Sequence, residues 1–297
     1  MAMTSFFIKK PKNFNYKQCL TFLQRSEQEL LHKIADNIVY KAVTIDDQQV
    51  LFRLLETKDC LRVDFLQGTL TDTQQQFIHQ YIEQMFDLKR DIKPFYEMAQ
   101  QDNILGKLVQ KYEGYRVVGI PDLFESIVWA IIGQQINLTF AYTLKKRLIT
   151  NFGEKVVWED KDLWIFPKYE QIAQLSVEDL RNLQFSKRKA EYIIDVARRL
   201  QTGQLSKEKL EKLDNHTLKE QLMDIRGIGE WTANYVMMRT FNIPSAFPVA
   251  DVGLHRALEK QLDVDERPTI SEIEKLAKSW KGWEAYATFY LWRSLYD

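Results

Sequence analysis

Cysteine is scarce in this 297-residue chain: only Cys19 and Cys60 occur. Two thiols cannot build a four-thiolate zinc or iron–sulfur site. Low cysteine use fits a reducing compartment. Neither sign of charge is in excess, because 41 Lys+Arg stand against 41 Asp+Glu. That balance excludes a uniformly basic nucleic-acid coat but leaves local basic surface open, since binding depends on where charge sits. Long hydrophobic runs are missing too. The longest, Ile127 to Ile132, is far too short to cross a bilayer. Met1 to Lys12 lacks the apolar core of a signal peptide. The expectation is a cytoplasmic protein without a membrane partner. The four histidines, at 32, 79, 216 and 255, show no metal-ligand spacing, so no metal site is expected among them.

What is present reads as globular: 45% hydrophobic and 28% charged residues, at a length that suits two or three domains. Ile38 to Ile45, Val50 to Thr57 and Cys60 to Phe65 are rich in β-branched and apolar residues. Asp46-Asp47 and Lys58-Asp59 punctuate them. Leu61, Val63 and Phe65 alternate with Arg62 and Asp64, the pattern of a strand with one buried face. Tyr16 to Arg25 and Thr71 to Met85 read as flanking helices. Residues 1–110 are therefore expected to form an α+β domain with a small antiparallel sheet. From about Gln110 strand signals fade and helical spacing takes over, beginning with Asp122 to Ile132 behind Pro121. Residues 111–297 are expected to be helical, in two lobes, so the class is mainly α.

Leu222-Met223-Asp224-Ile225-Arg226-Gly227-Ile228-Gly229-Glu230-Trp231-Thr232-Ala233 joins two expected helices through Gly-Ile-Gly. The glycines permit a tight turn. The turn amides and the positive end of the next helix together attract phosphate. A turn needed only for its shape has the same pattern. So far as the residues go, a helix-hairpin-helix holding the DNA backbone and a plain helical connection both fit. Downstream, Asp251 directly precedes a helix. Aspartate there is a favoured N-cap, and capping does not exclude catalysis.

Gly227-Ile228-Gly229 followed 22 residues later by Asp251 resembles the helix-hairpin-helix DNA glycosylase superfamily. Phe124-Glu125 and Ile131-Ile132-Gly133-Gln134-Gln135-Ile136 resemble its earlier helix and DNA-facing loop. Lys187 to Ile193 resembles its middle helix. Gly229-Glu230-Trp231-Thr232-Ala233-Asn234-Tyr235 and Trp280-Lys281-Gly282-Trp283-Glu284-Ala285-Tyr286-Ala287 resemble the 3-methyladenine DNA glycosylase II branch, which carries an extra N-terminal sheet domain. Bifunctional members of the superfamily place a nucleophilic lysine where this chain has Trp231, and indole offers no such nucleophile.

The resemblance implies a monofunctional, monomeric hydrolase. It would flip alkylated purines out of double-stranded DNA and excise them, opening base-excision repair on the nucleoid. The active site would lie between the two lobes. Asp251 would be the catalytic carboxylate, stabilising the cationic sugar and orienting water. Trp231, Tyr235, Trp283 and Phe22 would bind the electron-poor base by stacking and cation–π attraction, each contact worth about 0.5–2 kcal/mol. Gln135 would enter the gap left by the flipped base. Ile225, Arg226, Gly227, Ile228, Gly229 and Thr232 would meet the DNA backbone. No cofactor is implied beyond an alkali-metal ion that hairpin carbonyls can hold. A non-catalytic DNA-binding module is the competing reading, as is a related glycosylase with lyase activity or an oxidised-guanine substrate.

Overall fold

The computed structural model describes residues 5–67 and 70–297; Met1 to Thr4, the start of the segment read for a leader, lie outside it. In chain order the elements are β1 (Ser5–Lys9), α1 (Tyr16–Leu23), β2 (Lys33–Ala35), β3 (Ile38–Ile45), β4 (Gln48–Glu56), β5 (Cys60–Phe65), α2 (Asp72–Met85), α3 (Lys93–Ala99), α4 (Leu105–Lys111), α5 (Leu123–Gly133), α6 (Leu138–Phe152), β6 (Glu154–Trp158) and β7 (Lys161–Ile165). Then follow α7 (Tyr169–Ala173), α8 (Val177–Arg181), α9 (Lys187–Gln201), α10 (Lys207–Leu210), α11 (Asn215–Met223), α12 (Glu230–Thr240), α13 (Val252–Leu262), α14 (Ile270–Leu276), a 3₁₀ turn over Ala277–Trp280, and α15 (Glu284–Arg293). The class is mainly α with a small N-terminal antiparallel sheet, as the sequence leads one to expect. Among the described residues no helix is long and apolar enough to cross a membrane.

The chain builds two compact units, each from three separated stretches. The first takes residues up to Lys10, Ser26–Ile82 and Asp122–Lys212. Its five-stranded sheet has the order β1-β5-β4-β3-β2, antiparallel throughout. Leu61, Val63 and Phe65 are buried as the alternation predicts. Asp64 departs from it: the carboxylate is fully buried and clamped by Arg53 Nε at 2.8 Å and Arg62 Nε at 2.6 Å. Phe6 of β1 stacks on Phe65 and on His79 of α2, which seats that helix against the sheet.

A second hairpin, β6–β7, sits in the stretch where strand signals fade. Each of its strands is only five residues long. Val156, Leu163 and Ile165 complete an apolar cluster with Ala42, Leu51 and Leu66 of the N-terminal segment. Val157 and Trp164 stand between the inward-facing residues, so no apolar–polar alternation marks either strand, and the partner surface makes a hairpin of them.

This unit also buries a charge cluster. Lys145 on α6 lies 3.0 Å from Glu29 and 3.3 Å from Glu125 of α5, all three with little exposed side chain. Burial disfavours the ionised Glu29, but the charges of Lys145 and His32 and the Leu31 amide outweigh it, holding the acid well below its ordinary range. A depressed folded pKa means that this stability is present above the ordinary carboxylate range and is lost as pH falls through the folded value. Lys145→Met removes the cation that pairs directly with both buried carboxylates. Urea unfolding at pH 7 is expected to show a loss of about 3–5 kcal/mol; a loss below about 1 kcal/mol, the worth of an exposed pair, would contradict it.

The second unit takes Pro11–Arg25, Glu83–Pro121 and Leu213–Asp297. At its centre are α12 and α15, whose residues from Thr232 to Thr240 and from Ala285 to Arg293 are all buried. A helix covered on every side is rigid and makes a precise mount for functional groups. Phe95 of α3 packs its ring against Tyr286 and Tyr290 of α15 at 5.2 and 5.1 Å.

Candidate active site and DNA-backbone hairpin

In the second unit the turn between α11 and α12 forms as the glycine spacing implies. The Ile228 amide donates to the Ile225 carbonyl (3.0 Å), and Gly227 adopts φ +92°, a conformation costly for any side chain. Ile225 and Ile228 are buried, as is the side chain of Thr232. These three therefore anchor the turn and do not reach out from it. Arg226 and Gly229 are exposed. Gly229 is the N-cap of α12, and no side chain caps that end. A Cβ at Gly229 would meet nothing. The dipole at this end of α12 favours negative charge, and Glu230, paired with Lys219, already supplies one in the first turn.

From α12 the chain returns to Asp251 through a loop with several ties. Asn234 Oδ1 accepts from the Phe247 amide (3.0 Å). The Asp251 amide donates to the Pro248 carbonyl (2.9 Å), and His255 Nε2 lies 2.9 Å from the Val249 carbonyl oxygen. Asp251 caps α13: its Oδ1 accepts from the Leu254 amide at 2.8 Å. The same oxygen accepts from Trp292 Nε1 at 2.8 Å, and Oδ2 accepts from Trp231 Nε1 at 3.3 Å. Two indoles from different helices thus grip one carboxylate. Burial pushes the Asp251 pKa up from the ordinary carboxylate value; the Leu254 amide and the two indole N–H groups oppose that rise without cancelling it.

An aromatic row runs from this carboxylate. Trp231 lies 5.5 Å from Tyr235, Tyr235 lies 6.3 Å from Trp292, Trp292 lies 5.2 Å from Phe289, and Phe289 lies 5.2 Å from Phe22. Arg239, one turn beyond Tyr235, is buried behind the row. Its Nε donates to the Val118 carbonyl (2.7 Å) and its Nη1 to the Tyr235 hydroxyl. Its guanidinium lies 5.2 to 5.7 Å from the rings of Phe22, Tyr235 and Phe289.

Asp251, Trp231, Tyr235 and Phe22 are therefore brought together. The ring neighbours of Trp283 are others. It packs on Phe95 (5.8 Å) and Tyr286 (5.5 Å) at the start of α15. The indole against Asp251 is Trp292, at the other end of that helix. Sequence reasoning missed it because the Trp280-to-Ala287 match drew the assignment to Trp283. The available signal was Phe289 and Trp292 three apart on one helix face. Gln135 belongs to the first unit, in the turn between α5 and α6. It is exposed and holds φ +57°. Lys189, in the basic cluster of α9, donates from Nζ to the Ile132 carbonyl at 2.8 Å, so it fixes the end of α5 just before that turn.

The raised pKa of Asp251 has a consequence for stability. Ionising the group costs more in the folded chain, which alone bears the desolvation. Stability linked to a raised folded pKa is fully present below the unfolded value and is lost as pH rises through the folded value. Asp251→Asn keeps an N-cap and removes the charge. It is expected to unfold at a higher temperature than wild type at pH 7, with the gap closing below pH about 4. Calorimetry at both pH values checks this. A variant less stable than wild type at pH 7 would mean that the hydrogen bonds outweigh the desolvation.

The geometry can be set beside known proteins. Residues 128–282 match the family model described as HhH-GPD superfamily base excision DNA repair protein, and residues 7–127 match the 8-oxoguanine DNA glycosylase N-terminal domain. The chain is 42% identical over 290 residues to a DNA-3-methyladenine glycosylase of Bacillus subtilis, covering 96% of this chain and 95% of that one. It is 30% identical over 189 residues to DNA-3-methyladenine glycosylase 2 of Escherichia coli, covering 63% of each. Its fold is similar to the 3-methyladenine DNA-glycosylase structure from Archaeoglobus fulgidus, with a TM-score of 0.83 at 23% identity and 97% of each chain covered. A Clostridium acetobutylicum 8-oxoguanine glycosylase/lyase shares the fold with a TM-score of 0.72 at 19% identity, covering 98% of this chain and 97% of that one. The two family matches divide nearly the whole chain between them: the chain belongs to the HhH-GPD superfamily of base excision DNA repair proteins.

Proposed function

We propose that the protein is a monofunctional DNA glycosylase that removes alkylated purines of the 3-methyladenine type by hydrolysis, acting as a monomer without a cofactor. The observation that carries this reading is the desolvated Asp251 carboxylate held by two indole N–H groups at the end of an aromatic row. The names of the Bacillus subtilis and Escherichia coli relatives favour the same lesion class.

The chemistry follows from the charges. Alkylation at N3 or N7 makes the purine cationic, hence a good leaving group, so strong acid assistance is not needed. As the C1′–N bond breaks, the bonding electron pair leaves with the base and neutralises it. Positive charge develops on the sugar. A carboxylate in a dry site stabilises that charge more than one in water can. Water then adds to C1′ and gives up its proton to Asp251 or to solvent. Oδ1 is committed to Leu254 and Trp292; Oδ2 takes the longer bond from Trp231 and is the oxygen suited to face the sugar. The flipped base would stack on Trp231, the half-buried end of a row whose other rings are buried behind it. The turn around Gly227 and the open end of α12 would hold a DNA phosphate, and exposed Gln135 would fill the gap in the duplex.

A second reading, an 8-oxoguanine glycosylase/lyase, draws on the match of residues 7–127 to the 8-oxoguanine DNA glycosylase N-terminal domain. Trp231 opposes it, because a β-lyase needs an amine that can form a Schiff base with the sugar.

Single-turnover release of 3-methyladenine from methylated duplex DNA tests the proposal. Wild type is expected to release the base, and Asp251→Asn to be slower by at least about tenfold, or about 1.4 kcal/mol of barrier. Equal rates would reduce Asp251 to a helix cap. Borohydride is expected to trap no enzyme–DNA adduct, and a covalent adduct would replace the hydrolase by a lyase. Arg226→Ala is expected to weaken duplex binding alike for all sequences and to lower the slope of log K against log salt by about 1. An unchanged slope would remove Arg226 from the phosphate contact.

A further inference from the structure

Gly253 occupies the second position of α13, immediately beneath the site. Its backbone is ordinary helix, so no positive φ demands glycine there. Glycine within a helix lowers its stability relative to alanine. Local structure therefore disfavours the residue, and its reason must lie in space.

That space is the hydrogen bond between Trp292 and Asp251. A Cβ at position 253 would stand 2.9 Å from Asp251 Oδ1, 3.0 Å from Trp292 Nε1 and 3.2 Å from Trp292 Cδ1. All three atoms belong to the one contact, and none is the loose end of a flexible chain. Oδ1 is also tied to the Leu254 amide, which spans over residue 253. The indole is the last ring of buried helix α15, with Phe289 and Tyr235 against it. Making room for a Cβ means moving one or both partners of the 2.8 Å bond.

We infer that Gly253 is a positioning residue for the reaction, because the absence of its side chain lets Trp292 reach Asp251 Oδ1 and so fixes where the carboxylate points. The inference rests on the reading of Asp251 as the reacting carboxylate. It makes the orientation of Asp251 depend on three things: its own cap on α13, the end of α15, and the missing side chain at position 253. Loss of the Trp292 N–H would remove a donor that favours the ionised form, so the carboxylate would titrate at higher pH.

The test is Gly253→Ala in the full chain. The Trp292 indole N–H resonance, assigned by its loss in Trp292→Phe, is expected to shift upfield as the carboxylate bond is lost. Single-turnover release of 3-methyladenine at neutral pH is expected to fall by about tenfold or more. The acid limb of the rate–pH profile is expected to move up, with duplex affinity nearly unchanged. A purely structural role would change the melting temperature and leave the resonance and the acid limb where they were. An unshifted indole signal with a rate within about twofold of wild type, less than a tenth of the usual scale for a lost transition-state contact, would overturn the inference.

Should Gly253→Ala fold poorly, the same change is made in a Trp292→Leu background, where the ring that the new methyl meets is gone. There it is expected to cost less than about threefold in rate, since two changes acting on one contact are not additive. A further loss of about tenfold, full additivity, would place the effect of Gly253 elsewhere and overturn the inference. Asp251→Asn measured alongside separates the two claims. If it equals wild type, the reading of Asp251 fails and the catalytic part of the inference falls with it. If it is slow and Gly253→Ala is not, the inference alone fails.

Discussion

A carboxylate taken out of water but not out of reach of hydrogen-bond donors is the constraint on which the site depends. Burial of Asp251 raises the energy of its charged form. The Leu254 amide, the two indoles and the positive end of α13 return part of that energy. The balance is deliberately incomplete in physical terms. A fully compensated carboxylate would gain little from a cationic sugar, whereas one still short of partners gains much. Ionising Asp251 therefore costs the folded chain more than the unfolded one.

Holding such a group in place requires stiff supports. Trp231 and Tyr235 ride on α12 and Trp292 on α15, the two helices covered on all sides within their unit. Arg239 ties the Tyr235 hydroxyl to the Val118 carbonyl, so the row of rings is backed by fixed polar contacts. Asn234 pins the loop that delivers Asp251. The same helix α12 begins at the hairpin, with Gly227 in the turn and an uncapped N-terminus. One element therefore carries both the hairpin end and two rings of the row beside Asp251.

How far this was legible from sequence depends on distance along the chain. Trp231 and Tyr235 are four apart on one helix, and Asp251 precedes the next helix, so local spacing and capping rules suffice for them. Phe22 comes from the other end of the chain and Trp292 from the last helix. No local rule brings these to Asp251, and Trp283 was as good a tryptophan as Trp292 until packing separated them. The hairpin glycines were read correctly as a turn, whereas the neighbouring isoleucines and Thr232 lie inward as its anchors. In the fold, Ile38–Ile45, Cys60–Phe65 and Glu230–Thr240 stand where periodicity put them. The β6–β7 hairpin does not announce itself, because its apolar residues acquire meaning only against Ala42 and Leu51. Asp64 breaks its strand's alternation because two arginines repay its burial.

The most direct measurement is the pH dependence of single-turnover base release set against a carbon-13 titration of the Asp251 carboxyl in the same protein. The account predicts that the carboxyl titrates above the ordinary carboxylate value and that the rate rises with pH along the same curve. A carboxyl that titrates at or below the ordinary value, or a rate that ignores its titration, would contradict the claim that a desolvated, indole-held Asp251 carries the reaction.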